Sequence, residues 1–325
     1  MLKTGIIGIG KRGRQFLNSL SKLSDIEISF LCDKNEHKLR EVEKTYKGVN
    51  LSISYTAAKD YLDCVIIATP YDTHFEIAKF FLENNIPVLL EKPSTVLVEE
   101  TETLFNIAKK NNVHLQIGFS ERYNPAYLYV KNLVNGTSKI FIEASRINQF
   151  SERTLKIDVI LDLMIHDIDL ILNLLNKEPV NYQGFTCRIV DRAWDFAKVT
   201  MYFDEGVSAE CTANRISLQT NRTMNIYKED TIYKLDFVEQ SLTIYSPSCV
   251  SSSGMEKYRE PGNTELDNFV QIRKIAGEYR NLIVDEFNDF RKFITHPDIY
   301  DHRYDLLTLR ITNKIKDILA RKHSC

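Results

Sequence analysis

Apolar and polar positions alternate along the first third of the chain in a way that names its elements. A short apolar run at residues 3–8 reads as a strand, and Phe16, Leu17, Leu20 and Leu23 then recur at helical spacing. Residues 26–30 alternate apolar with polar side chains, the two-residue period of a strand. Residues 63–68 carry a continuous apolar run rich in β-branched side chains, the pattern of a strand buried on both faces. Helical patterns at 36–46, 74–84 and 99–110 alternate with short apolar runs at 87–90 and 113–117. Strand and helix in strict alternation predict a parallel, doubly wound sheet.

The texture changes near residue 118. A polar and aromatic segment at 121–129 leads to a strand-like run at 139–147, and an apolar helix is expected over 158–175. Six further strand-like runs follow, at 182–190, 197–203, 207–213, 223–228, 231–237 and 242–245. Turn signals such as Asp204-Glu205-Gly206 and Glu229-Asp230 separate them, as in antiparallel hairpins. Two amphipathic helices are expected at 281–294 and 305–322, and the Ser-, Gly- and Pro-rich stretch 246–262 reads as a loop. The expected fold is therefore α/β: a parallel domain over 1–119, then an α+β domain over 120–325 with a large, mostly antiparallel open sheet.

Composition narrows the function classes. With 43% apolar and 26% charged residues the 325-residue chain is globular, and a formal charge of −2 supplies no field for nucleic acid or an anionic membrane. No run approaches the roughly eighteen apolar residues of a membrane span. The opening apolar run is too short for a signal peptide, so a cytoplasmic protein is expected. Six cysteines occur without any Cys-x-x-Cys pair, which argues against a zinc site or a redox dithiol. Cys32 and Cys64 fall inside apolar runs and read as small buried hydrophobes.

The first chemical signal is Gly8-Ile9-Gly10-Lys11-Arg12-Gly13, a G-x-G-x-x-G placed between the first strand and a helix. Glycines there permit a tight turn, close approach to a pyrophosphate and helix–strand packing, and the helix N-terminus offers N–H groups to phosphates. Asp33 lies about twenty residues beyond the last glycine, at the end of the next strand, where a carboxylate accepts ribose hydroxyls and repels a 2′-phosphate. NAD is therefore expected over NADP. Asp33 and Glu36 also match a capping box, so helix capping is an alternative reading, and the neighbouring Lys34 could offset a phosphate.

Asp162 and His166 stand four apart, so a helix would put them on one face. Histidine is suited to proton transfer near neutrality. A buried structural His166 and a metal set of Asp162, His166 and Asp169 are the competing readings; no further His or Cys cluster completes the latter. Lys92 follows a strand of the parallel sheet, on the side where such sheets bind ligands, and its ammonium could stabilise developing alkoxide character.

Ala68-Thr69-Pro70 with His74, and Glu91-Lys92-Pro93, resemble the glucose–fructose oxidoreductase / inositol dehydrogenase (Gfo/Idh/MocA) family. Residues 118–125 (Gly-Phe-Ser-Glu-Arg-Tyr-Asn-Pro) and the Asp162-x-x-x-His166 helix resemble it further along, although Met164 stands where many members carry glycine. The resemblance implies a Rossmann domain followed by a substrate-binding and oligomerisation domain. It adds Ala68, Thr69, Pro70, His74, Glu91 and Lys92 to the cofactor residues Gly8, Gly10, Lys11, Arg12, Gly13 and Asp33. It also implies Lys92 and His166 as the catalytic pair, with Asp162 orienting the sugar or the imidazole, and a homodimer or homotetramer.

Segments 121–126 and 158–169 resemble the subgroup that oxidises UDP-N-acetylglucosamine at C3, supplying a partner aminotransferase in 3-amino-sugar synthesis for lipid A or surface polysaccharide. A sugar nucleotide carries a diphosphate, for which Arg122, Arg146 and Arg153 are the expected forks, with Asn124 beside them. Two other readings stay open at this point: a dehydrogenase of a free sugar or inositol, and a non-catalytic NAD-binding regulator.

Overall fold

The computed structural model describes residues 1–59, 61–134, 139–151, 157–190, 193–247 and 270–322. The chain divides into two units, Met1–Ser120 with Asn281–Leu309, and Glu121–Arg280 with Arg310–Cys325. In the first, strands β1 (Leu2–Ile7), β2 (Ile26–Cys32), β3 (Asn50–Ser52), β4 (Cys64–Ile67), β5 (Val88–Glu91) and β6 (Leu115–Gly118) form one sheet in the order β3-β2-β1-β4-β5-β6. Every pairing is parallel. Helices α1 (Lys11–Leu20), α2 (Glu36–Glu43), α3 (His74–Glu83) and α4 (Val98–Asn111) make the crossovers into β2, β3, β5 and β6. All four residues of β4 are fully buried, which accounts for its continuous apolar run. The order reverses between β1 and β4, so the glycine loop after β1 opens at the switch point of the sheet. Strand β3 escaped the sequence reading because three part-exposed residues carry no periodicity.

The second unit holds eight strands: β7 (Ile140–Ile147), β8 (Asn181–Cys187), β9 (Phe196–Tyr202), β10 (Ser208–Asn214), β11 (Asn221–Lys228), β12 (Thr231–Asp236), β13 (Ser241–Pro247) and β14 (Val270–Ala276). Their order is β14-β13-β12-β11-β7-β10-β9-β8, antiparallel except for β7 with β10. Strand β7 alternates cleanly: Ile140, Ile142, Ala144 and Arg146 are buried, while Phe141 between them is exposed. Helices α5 (Pro125–Val134) and α6 (Ile165–Leu175) cover the buried face. Helix α5 arises within the segment read only as polar and aromatic; Pro125 suits its first position, where no N–H is needed. Most of the expected 246–262 loop lies outside the described residues.

The chain end supplies α7 (Leu282–Phe293) and α8 (Arg303–Lys322), matching the two expected amphipathic helices. Asn281 caps α7 by accepting the Ile283 N–H at 3.2 Å. Phe287 and Phe290 are fully buried in the same core as Ile6, Phe16, Leu20, Leu39 and Ile66. Residues 281–309 therefore belong to the parallel-sheet unit, which a single boundary at 119/120 does not provide for. Burying each phenylalanine contributes about 1.5–3 kcal/mol, and amphipathic periodicity reports the presence of such a face without naming the surface it covers. Among the described residues no helix is long and apolar enough to cross a membrane.

Candidate functional site

The glycine loop of the first unit has the geometry a dinucleotide requires. Gly8 has φ +94°, a conformation that disfavours a side chain, and a Cβ there would stand 2.7 Å from the Ala68 carbonyl. A Cβ on Gly13 would lie 1.8 Å from the Gly8 carbonyl oxygen, so the loop closes against α1 only with glycine. At Gly10 a Cβ would meet nothing within 4 Å. Packing inside the protein thus leaves Gly10 unexplained, and the open space beside it is where a pyrophosphate could approach the backbone. Helix α1 begins there with no side-chain cap and no acidic residue in its first turn, leaving its N-terminal N–H groups for an anion.

Asp33 braces this loop. Its Oδ2 accepts the Ile9 N–H at 2.8 Å and the Lys38 ammonium at 3.1 Å, while Oδ1 accepts the Asn35 N–H at 2.9 Å. The cap of α2 is Asn35, which accepts the His37 N–H at 3.0 Å, so the capping-box alternative for Asp33 is replaced. The cation beside Asp33 is Lys38, five residues on, and not the exposed Lys34.

Arg12, Glu91 and His74, also assigned to the cofactor, bond within the protein. The Arg12 guanidinium donates through Nε to Glu91 and through Nη2 to Ser120 Oγ at 3.3 Å and Glu286 Oε2 at 3.4 Å. Arg12 and Glu91 therefore lock the glycine loop to the end of β5. His74 is 1% exposed, with Nδ1 2.9 Å from the Pro93 carbonyl and Nε2 2.9 Å from the Thr69 carbonyl. Burial holds its pKa below the ordinary histidine value, against the pull of those carbonyls and of Glu91. His74 thus lies between two loops, and as a neutral ring it donates its single N–H to one of these carbonyls. The Thr69 hydroxyl accepts from Thr73 at 2.8 Å; Ala68 is half-buried, and Pro70 and Lys11 are exposed. Lys92 is half-buried and joined to Pro93 by a cis peptide bond.

The second unit builds its polar cluster where α6 begins. Asp158 starts the helical stretch by accepting the Ile160 and Leu161 N–H groups at 3.1 and 3.0 Å, and it pairs with Lys316 at 2.9 Å. The backbone over Ile160–Met164 winds as a π-helix before α6. Such wide turns are rare and often mark functional sites. Asp162 sits in this turn and His166 in the first turn of α6, both half-buried. Met164, the departure from the family glycine, is 0% exposed and packs into the core.

Three of the expected substrate residues, Arg146, Arg122 and Asn124, are engaged within the protein. Arg146 is 2% exposed; its Nε and Nη2 fork onto Asp167 at 2.9–3.2 Å and its Nη1 reaches Glu121 at 3.0 Å. Burial alone would lower its pKa, but the two carboxylates hold it above the usual guanidinium value. Arg122 forks onto Asp169, with Nε 2.8 Å from Oδ2, which also commits the third residue of the alternative metal set. Asn124 is fully buried; its Oδ1 accepts the Ala126 N–H at 3.2 Å and its Nδ2 donates to the Phe237 carbonyl at 3.2 Å. Arg153 lies outside the described residues. For Arg146 the reason is that even-numbered positions of β7 face the helices, where Asp167 and Glu121 take its guanidinium. Arg222, which sequence reasoning passed over, stands on β11 directly opposite Arg146. No local signal marks it, because its place depends on strand register.

Comparison with known proteins accords with this architecture. Residues 2–119 match the model of an oxidoreductase family with an NAD-binding Rossmann fold, and residues 134–233 match the GFO/IDH/MocA C-terminal domain. A UDP-N-acetylglucosamine 3-dehydrogenase of Acidithiobacillus ferrooxidans is 32% identical over 289 residues, covering 89% of this chain and 87% of that protein. An inositol 2-dehydrogenase of Rhizobium meliloti is 23% identical over 199 residues, 59% of this chain and 60% of its own. The solved structure of UDP-N-acetylglucosamine 3-dehydrogenase GnnA from Acidithiobacillus ferrooxidans superposes with a TM-score of 0.84 at 29% identity, covering 97% of this chain and 96% of that one.

Proposed function

The chain belongs to the Gfo/Idh/MocA oxidoreductase family, and from that premise we propose that it oxidises the C3 hydroxyl of UDP-N-acetylglucosamine to a ketone with NAD. The observation that carries the substrate is the 32% identity to a UDP-N-acetylglucosamine 3-dehydrogenase over 89% of the chain. The inositol dehydrogenase relative covers only 59% of it, which supports a sugar nucleotide over a free polyol.

When bound, NAD would accept the hydride from the carbinol carbon. Gly8, Gly10 and Gly13 would admit its pyrophosphate, the N–H groups at the start of α1 would meet the phosphates, and Asp33 would take the adenine ribose. An imidazole nitrogen of His166 would accept the hydroxyl proton as the hydride leaves. The Lys92 ammonium would stabilise alkoxide character on the substrate. Asp162, four residues before His166, would orient the sugar or the imidazole. The proton released is the one the alcohol loses, so alcohol and NAD balance ketone, NADH and H⁺.

The ketone at C3 would be consumed by an aminotransferase, giving a 3-amino sugar for lipid A or surface polysaccharide. The sheet face opposite α5 and α6 exposes Phe141, Phe185 and Tyr202, which supports pairing of copies there as a dimer or tetramer; light scattering reading a monomer at micromolar concentration would dismiss it. The substrate test is a panel of UDP-sugars, inositol and glucose with NAD, read by nicotinamide absorbance and product mass. Alcohol oxidation is uphill at neutral pH, so the assay includes an aminotransferase and glutamate to trap the ketone. Trapped 3-amino product from UDP-N-acetylglucosamine is expected. Ready turnover of inositol or glucose with no trapped product from the UDP-sugar would overturn the substrate and leave the family standing.

A further inference from the structure

Four arginines of the second unit, Arg122, Arg146, Arg215 and Arg222, are held in two ways. Arg122, Arg146 and Arg215 each fork onto or pair with a buried carboxylate: Asp169, Asp167 and Asp195 respectively. Arg222 does not. Its nearest carboxylate oxygen, on Glu121, is 3.7 Å from Nη1, and its Nη2 reaches Asn148 Oδ1 at a long 3.4 Å. Its Nε is buried and has no acceptor among the described residues. A desolvated N–H without a partner is costly, so a guanidinium left this loosely held is under-used by the protein itself.

Register explains why. Arg222 faces Arg146 directly across β7 and β11, and Arg146 is first served by Glu121 and Asp167. Two guanidinium groups thus draw on the same two carboxylates, and the more exposed one is left over. Arg222 keeps 37% of its side chain exposed where Arg146 keeps 2%. Asp162, on the π-turn, is among the charges that act on Arg222.

We propose that Arg222 is a specificity-determining residue that receives an anionic group of the substrate, the diphosphate of a sugar nucleotide on the reading above. The inference rests on that reading only for the identity of the anion. A phosphate or carboxylate oxygen would complete the Arg222 fork, which a neutral polyol could do less well. The role expected of Arg122, Arg146 and Arg153 is thereby extended to Arg222, whose Nε has no acceptor among the described residues.

Calorimetry with the full chain and NADH measures binding of UDP-N-acetylglucosamine, UDP, a hexose 6-phosphate, a hexuronate and inositol to the wild type, R222Q and R222K. Roughly ten- to a hundredfold weaker binding of the anionic ligands by R222Q is expected, with partial recovery in R222K and NADH affinity unchanged. Should R222Q fail to fold, R222K decides alone, because losing the fork geometry must still weaken the anion. If the wild type binds UDP-N-acetylglucosamine and both variants bind it equally well, the role of Arg222 is wrong and the substrate reading survives. If only another anionic sugar binds and R222Q loses it, Arg222 stands and the UDP-sugar reading falls. Binding of inositol alone would overturn both.

Discussion

Asp33 accepts the Ile9 N–H at 2.8 Å, so the carboxylate that spacing assigns to a ribose also holds the glycine loop in shape. Oδ2 carries the Lys38 ammonium as well, and Oδ1 the Asn35 N–H, leaving one of about four lone-pair sites for a ribose hydroxyl.

Replacing Asp33 therefore acts twice. D33S is expected to weaken NAD binding by about tenfold or more, from a lost ribose bond and a loosened loop. It should at the same time shift preference toward NADP by freeing Lys38 and removing a repelling charge. Fluorescence titration of both reduced cofactors reads it; an unchanged NAD-to-NADP ratio in D33S would mean the carboxylate serves the loop alone.

The catalytic pair has a separate signature. Lys92→Ala and His166→Ala should each lower kcat by about 10² or more while NADH still binds and thermal melts stay close to wild type. Both side chains are only half-buried, so neither removal opens a core cavity. An unfolded His166→Ala beside an active Lys92→Ala would return His166 to a structural role.

Arg146 gives the opposite expectation, stability before activity. R146M strands Asp167, which is 1% exposed, and should cost about 3–5 kcal/mol in denaturant midpoint analysis. R146M/D167N should regain part of it by removing the orphaned charge. A stable R146M with weakened substrate binding would restore Arg146 to the ligand.

The pH dependence of stability should carry the mark of His114. This residue is 1% exposed among Phe290, Phe293 and Tyr300, and burial, its largest cause, lowers its pKa from 6.5 to about 4. The unfolded chain takes up the proton near 6.5 and the folded chain only near 4. Stability is therefore complete above 6.5 and falls as pH drops toward 4, by on the order of 3 kcal/mol in all. His114→Phe should flatten this window in urea titrations run from neutral to acid. A slope identical to wild type would assign the acid sensitivity elsewhere.

Local pattern determined a good deal here. The alternation of buried runs and amphipathic helices wrote out the parallel sheet, because each element shows its own buried face in its own residues. The glycine loop was legible for the same reason: Gly8 and Gly13 answer to backbone contacts within one strand–turn–helix. Cys32 and Cys64 were read as buried thiols from their neighbours alone, and burial raises both to about 12. Partnerships across the chain were another matter. Which arginine meets a carboxylate depends on the register that sets Arg222 opposite Arg146, and on α6 bringing Asp167 and Asp169 to the sheet and to Arg122. His74 looked like a ligand residue until Thr69 and Pro93 closed on its ring from two different loops. The α7 helix announced an apolar face, but only the folded chain decided that Phe287 and Phe290 would fill the core around Phe16. Periodicity is a property of neighbours in sequence, while hydrogen-bond partners and core neighbours are fixed by distances that exist only after the chain has folded.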